Sequence, residues 1–547
     1  MKKFLIILGV LVLLLCSAGV YAYFKYLYTE PLSKAELAEL TPDWDLATGG
    51  DWSPWYDLGN GTKDWNPTRS FNAWLETIPE DDKAWPILID ANLAFSDVLD
   101  DKRYKTFADT LPNDPERWAI IEPILKSERA QQLTAAFQEA LSNPVLGCVM
   151  MNTTDPHSQA AMERYGVEDE YWSENPEVNP SLISSWLPAL GVCRGSAAFL
   201  CAQAALSLNE DDPDASVELL LSASQAAQLS DEYPTLIGEL VRAAINTKVN
   251  STISWALQTH PDRLEERHLQ KLKSITSTST ESTRGFYGEC LMLHDTMRRL
   301  VTPRGTLTHE SVLKLTNFVG DDNIPLADPV HMHDQKLGAS AQRALLLYKE
   351  YLAQGGQKSM LRWQSIVTSD EFLQQVEDEL GFIPNLVIGI LMPAVEKAST
   401  RFIEDEQMMI GIDVAIGAHL HKLRHGEFPM TLDEFDSDLL TLQPIDAFTG
   451  KSLSYKLNET GPLVYSVGTD RDDDGGQVRW NINIAGPDDN LVDIRTPKPP
   501  EWLRIEKLQQ RQADDPDSIN GDWVLYPIPI EDPAPLDETE QEIINEP

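Results

Sequence analysis

Cysteine is scarce, with five in 547 residues, and no two of them form a CxxC pair. That spacing serves zinc ribbons and thiol redox centres, so neither is signalled. Basic residues are few beside acidic ones, 44 against 86, which leaves a net charge of −42. Such a surface repels polyphosphate backbones and argues against nucleic-acid partners; its plain reading is a solvated acidic coat that keeps the protein soluble. HExxH, G-x-S-x-G and P-loop patterns are also missing. Asp and Glu are too plentiful for one pair to stand out as a glycosidase dyad, and no catalytic residue is assigned.

Long apolar runs occur at one end. Lys2 and Lys3 precede an uncharged stretch from Phe4 to Phe24, about the length a helix needs to cross a bilayer's hydrocarbon core. The two lysines hold its start inside, and Tyr21, Tyr23 and Tyr26 sit where interfacial aromatics belong. The alternative is a cleaved signal peptide, with Val20-Tyr21-Ala22 as its cleavage site. Either way the bulk of the chain is exported. Cys148, Cys193, Cys201 and Cys290 then lie where disulfides are permitted. Cys193 and Cys201 are separated by about 12 Å along a helix axis, too far to bond each other. Buried free thiols are the alternative.

Six tryptophans, Trp44, Trp52, Trp55, Trp65, Trp74 and Trp85, crowd the next stretch. They suit core packing or, less commonly, a sugar-stacking platform. From about Ala91 to Thr400 the pattern is mainly helical. Helices are predicted over Ser181–Leu208, Asp214–Ser230 and Pro234–Leu257, the first two separated by the polar breaker NEDDPD. In the third, Pro234 suits a first turn, and Leu236, Ile237, Leu240, Val241 and Ala244 are expected to line one face. The first pair has the style of a tetratricopeptide hairpin, without a sustained 34-residue period. A further helix is expected over Glu404–Arg424, with Ile412, Ala415, Ile416, Leu420 and Leu423 on one face and Gly426 as the stop.

Beyond Pro429 the period becomes two. Leu453, Tyr455 and Leu457, then Leu463, Tyr465 and Val467, then Val478, Trp480, Ile482 and Ile484 alternate, which predicts three short antiparallel strands packed on the helix. The second and third are joined by DRDDDGG. Asp470, Asp472 and Asp474 stand at i, i+2 and i+4, and Gly475 follows. Alternate carboxylates at that spacing converge on one point, and glycine permits the bend behind them; hard oxygen ligands in loose geometry suit calcium. Without a cation each close pair repels by about 1 kcal/mol in water. An acidic solvated turn is the alternative. The twelfth position of an EF-hand loop would fall on Asn481 rather than on glutamate, so a strand-to-strand loop is expected.

The pieces His425-Gly426-Glu427-Phe428-Pro429, Asp446-Ala447-Phe448-Thr449-Gly450-Lys451 and Tyr465-Ser466-Val467-Gly468-Thr469-Asp470 resemble, in this order, the C-terminal part of the major pseudopilin of type II secretion. The resemblance spans roughly Thr400 to Ile494. It implies a structural calcium in the last loop, held by backbone carbonyls before the glycine and by aspartates within the loop. Carried over, it implies Asp470 first, then Asp472, Asp473 and Asp474, with Val467 and Tyr465 as carbonyl donors and Asp493 as a later match. The chain departs from the family at its N-terminus, which has no prepilin-type glycine, cleavage point and glutamate. The rest resembles, more loosely, exported helical proteins of bacteria that end in the same module.

Two histidine sets stand apart. His331 and His333 alternate in HMHD, and His421 and His425 are one helical turn apart; both suit a transition metal, against a loop reading for the first and a helix-dipole reading for the second. His419 is expected in the core.

The predicted architecture is mainly α. It comprises a membrane anchor or signal segment (1–26), a Trp-rich irregular region (27–90), an irregular helical bundle or solenoid (91–398), a small α+β pseudopilin-like module with a short antiparallel sheet (399–495) and an acidic Pro-rich tail (496–547) too poor in apolar residues to order well. The expected role is a calcium-bearing scaffold or interaction protein, anchored in the inner membrane with its body periplasmic or at the cell surface. The alternatives are an exported hydrolase or carbohydrate-binding protein, and a component associated with a secretion or pilus-like apparatus.

Overall fold

The computed structural model describes residues 67–108, 110–149, 156–165, 187–233, 235–276, 392–468 and 523–528, with the single positions 285, 288, 292, 473, 475 and 476. The N-terminal segment, Trp44, Trp52, Trp55, Trp65, Cys290, His331, His333, the strand expected over 478–484 and Asp493 lie outside them.

The described chain is mainly helical. Seven helices come first: α1 (Pro67–Glu76), α2 (Trp85–Ala94), α3 (Ser96–Leu99), α4 (Lys102–Phe107), α5 (Pro115–Leu125), α6 (Glu128–Leu141) and α7 (Pro156–Tyr165). Short side-chain caps start several of them: Asp101, Asp114 and Ser127 each accept from a backbone N–H in the following first turn. Trp85 and Trp118 are buried in the shared core, and Trp74 lies partly buried against Phe71 with ring centroids 5.6 Å apart. These tryptophans pack.

Next come α8 (Pro188–Asn209), α9 (Pro213–Ser230), α10 (Leu236–Thr259) and α11 (Glu266–Thr276). The breaker between α8 and α9 works as its residues require. Asp211 takes a positive φ of 70°, Asp212 caps α9 by accepting from the Ala215 N–H at 3.0 Å, and Pro213 opens the helix. Helix α8 is long and apolar enough to cross a membrane, but 78% of its most apolar window is buried inside the protein, so it serves as a core helix. Cys193 and Cys201 sit on it as buried free thiols, and Cys148 is a third. Burial pushes the Cys193 thiol up to about 12.

Helix α10 corrects the sequence reading. It starts at Leu236 rather than in a turn led by Pro234, with Thr235 as its cap, accepting from Gly238 at 3.1 Å. Of the expected apolar stripe, Leu236 is buried and Leu240 and Val241 pack half-buried on the core, but Ile237 is 60% exposed, while Glu239, Arg242, Asn246 and Asn250 are buried. The reason is tertiary. Helix α10 packs against α8, α9 and α12 (Met392–His425), and α12 brings polar partners: Asn246 donates to Asp405 at 3.0 Å.

Helix α12, with 34 residues, is longer at both ends than expected. It packs against α10, α11 and the sheet. Ile412, Ala415, Ile416 and Leu420 are buried as predicted, but Leu423 is 51% exposed because the last turn runs clear of the core. Gly426 ends the helix at φ 88°.

The sheet is antiparallel in the order β1 (Ser454–Asn458), β2 (Gly461–Ser466), β3 (Trp523–Tyr526). The first two match the expected strands, although Leu457 faces out. The third comes from the tail: Val464 pairs with Tyr526, Tyr465 with Val524 and Ser466 with Trp523. All four residues of β3 are buried. The tail's polar average concealed four adjacent large apolar side chains, which suit a strand covered on both faces.

Candidate functional site

Helix α12 organises the module through three buried polar side chains. Gln407 accepts from the Ala447 N–H at 2.7 Å and donates to the Ile445 carbonyl at 3.3 Å. Asp413 accepts from the N–H groups of Thr441 and Leu442 and from the Thr276 hydroxyl, at 2.7, 3.0 and 2.9 Å. His419 meets the Tyr526 hydroxyl at 3.0 Å, in the core as expected. Burial pushes its imidazole down to about 4. The result is a fixed loop over 439–448 and a fixed platform for β2.

Asp446 then ties that loop to the strand leading into the aspartate turn. One carboxylate oxygen accepts from Phe448 and Thr449 at 2.7 and 3.0 Å. The other accepts from the Val467 N–H at 3.0 Å. With its N–H held, the Val467 peptide is fixed in place one residue before Gly468. Asp446 was visible in sequence only as part of a motif; its reach to Val467 needs the fold.

The described part of the turn folds back onto β2. The Tyr465 hydroxyl donates to Asp473 Oδ1 at 2.8 Å, and the Gly475 N–H donates to the same oxygen at 2.9 Å. Gly476 lies so close to the strand that a Cβ there would fall 2.6 Å from Leu463 Cδ2 and 3.1 Å from Tyr465 Cδ1. Its φ of 77° independently favours glycine. Lys456 Nζ stands 3.9 Å from Asp473 Oδ1 and 5.1 Å from the Tyr465 ring centre. Partial burial raises the Asp473 pKa, but the Tyr465 and Gly475 hydrogen bonds and Lys456 outweigh it and hold the carboxyl below its ordinary value. Of the expected calcium ligands, Asp473 is therefore held against Tyr465 of the central strand β2, and Val467 directly follows that strand. Asp470, Asp472, Asp474 and Asp493 lie outside the described residues.

A second group lies at the end of α12. His421, His425 and Asp436 offer nitrogen and oxygen atoms that all lie within 4.8 Å of one another. The imidazole rings are 4.3 Å apart, and His425 Nε2 is 3.0 Å from Asp436 Oδ2. The i, i+4 spacing of the histidines was legible; Asp436, from the loop after the helix, was not.

Set against families of known proteins, curated proteins and solved structures, the chain matches none of them.

Proposed function

We propose that this chain is an exported protein of the cell envelope, anchored in the inner membrane by residues 4–24, whose small C-terminal α+β module resembles a pseudopilin and carries a structural calcium ion. The observation that supports the calcium reading most is the folded-back turn. Tyr465 and Gly475 brace Asp473, and Asp446 holds the Val467 peptide, so residues on both sides of the aspartate run are held by side chains of β2 and of the loop before the sheet. In this reading Asp473 spends one oxygen on the turn itself. Asp470, Asp472 and Asp474 supply the charged ligands, and Tyr465, Val467 and Asp493 are the further donors that the pseudopilin resemblance implies. The ion offsets the repulsion among neighbouring carboxylates and clamps the turn to β2.

The large helical body is then the surface for protein partners, and the protein acts as a scaffold or interaction component. Burial of Trp85 and the half-buried packing of Trp74 on Phe71 favour this over a sugar-binding platform. Calcium titration calorimetry on the full-length chain in detergent tests the ion. One site per chain that vanishes in the Asp470→Asn, Asp472→Asn double variant supports the reading, and no saturable binding overturns it. Alkaline extraction of membranes tests the anchor: release into the soluble fraction counts against it.

A further inference from the structure

The pair on the last turn of α12 and the aspartate facing it form a group that the calcium reading leaves unused. We propose that His421, His425 and Asp436 bind one divalent transition-metal ion, zinc being the best fit. The site lies at the helix end and uses none of the residues of the aspartate turn.

Two histidines one helical turn apart present their rings on the same face, the arrangement helical zinc sites use. His421 is buried, 9% exposed, and its Nδ1 finds no hydrogen-bond partner among the described residues. A buried ring nitrogen left unpaired costs free energy, and a metal bond removes that cost. His425 and Asp436 already hold their ligand atoms 3.0 Å apart. Ligands bound to one zinc at the usual bond lengths sit about 3.3 Å from each other in a tetrahedron, so this pair is almost at its bound separation. Both side chains are half exposed, 47% and 42%, and can rotate to bring all three donors to one ion.

The surrounding charge agrees. The site lies at the carboxyl end of a 34-residue helix, where the backbone dipole favours a cation. Arg424 approaches Asp436 Oδ2 at 3.8 Å, but its guanidinium is engaged elsewhere, with Asp438 at 2.9 Å and Glu266 at 3.0 Å. Phe435 packs beside His421, ring centres 6.2 Å apart, and walls one side. Two imidazoles and a carboxylate are borderline and hard donors that select zinc, cobalt or nickel over calcium. Three protein ligands leave a fourth position for water. Such an ion would fasten the end of α12 to the loop carrying Asp436.

The test uses full-length protein in detergent, stripped with chelator and then given excess calcium so that the aspartate turn is occupied. Zinc affinity is read by competition with a chromophoric chelator, and cobalt supplies the visible spectrum. The expected result is one zinc per chain and a cobalt spectrum of low coordination number. His425→Ala and Asp436→Asn, both exposed positions, should each weaken zinc by more than about tenfold while leaving the circular dichroism unchanged. The Asp470→Asn, Asp472→Asn variant should bind zinc as the unaltered chain does. No zinc uptake by the unaltered chain, full uptake by both single variants, or loss confined to the Asp470, Asp472 variant would each overturn the proposal.

Discussion

His419 Nε2 and the Tyr526 hydroxyl lie 3.0 Å apart, joining α12 to a strand 107 residues further along the chain. The imidazole is buried and its pKa is pushed from 6.5 down to about 4. The folded chain therefore binds the proton less readily than the unfolded chain, and stability falls as pH drops from about 6.5 towards 4. A shift of this size corresponds to about 3 kcal/mol when fully expressed. Glu232 runs the opposite way. Burial holds its carboxyl up at about 7, although it accepts from Leu146 and Gly147; its contribution is lost as pH rises from the usual carboxylate range through 7. The two windows overlap between about pH 4.5 and 6.5, where their slopes oppose, so urea unfolding of the single variants separates them. In that range His419→Gln should make stability fall more steeply as pH rises, and Glu232→Gln should make it rise more steeply; unchanged slopes would contradict the assignment.

Close packing of β3 on α12 depends on Gly411. A Cβ at that position would overlap the Leu525 side chain. Gly411→Ala should destabilise the chain by about 1–3 kcal/mol through overpacking, despite alanine's better helix propensity. Chemical denaturation measures it, and a stabilised variant would mean that the tail strand does not sit there.

Asp413 is the hub of the loop that precedes the sheet. Asp413→Ala takes the acceptor from two part-buried N–H groups and removes a buried partner of Thr276. A loss of about 1–3 kcal/mol is expected, with Asp413→Asn intermediate. A loss under about 1 kcal/mol would show that water replaces the carboxylate without cost.

These dependencies explain what was readable in the chain. Period and caps located α8, α9 and α12, because helix boundaries are written in neighbouring residues such as Asp212, Pro213 and Gly426. The inward face of α10 was readable only in part: Leu236 is buried as its position suggests, whereas Glu239, Arg242 and Asn246 are buried because other elements cover them. Strand β3 was hidden for a similar reason, since only pairing with β2 shows what Trp523–Tyr526 does. The aspartate run was legible as spacing, whereas the brace from Tyr465 and the staple from Asp446 are tertiary.

Tyr465→Phe removes the hydroxyl that Asp473 accepts from. The expected cost is about 1 kcal/mol, together with weaker calcium affinity, because the turn loses its brace. Gly476→Ala should act in the same direction through its clash with Leu463. Calorimetric titration of both variants checks this; calcium affinity equal to that of the unaltered chain would separate the brace from the ion.

Thermal unfolding of the full-length chain, with calcium and with chelator, tests the central claim most directly. At ten times its dissociation constant, calcium should add about 1.4 kcal/mol and raise the midpoint. The gain should disappear in the Asp470→Asn, Asp472→Asn variant. Equal midpoints with calcium and with chelator would contradict a calcium-clamped turn.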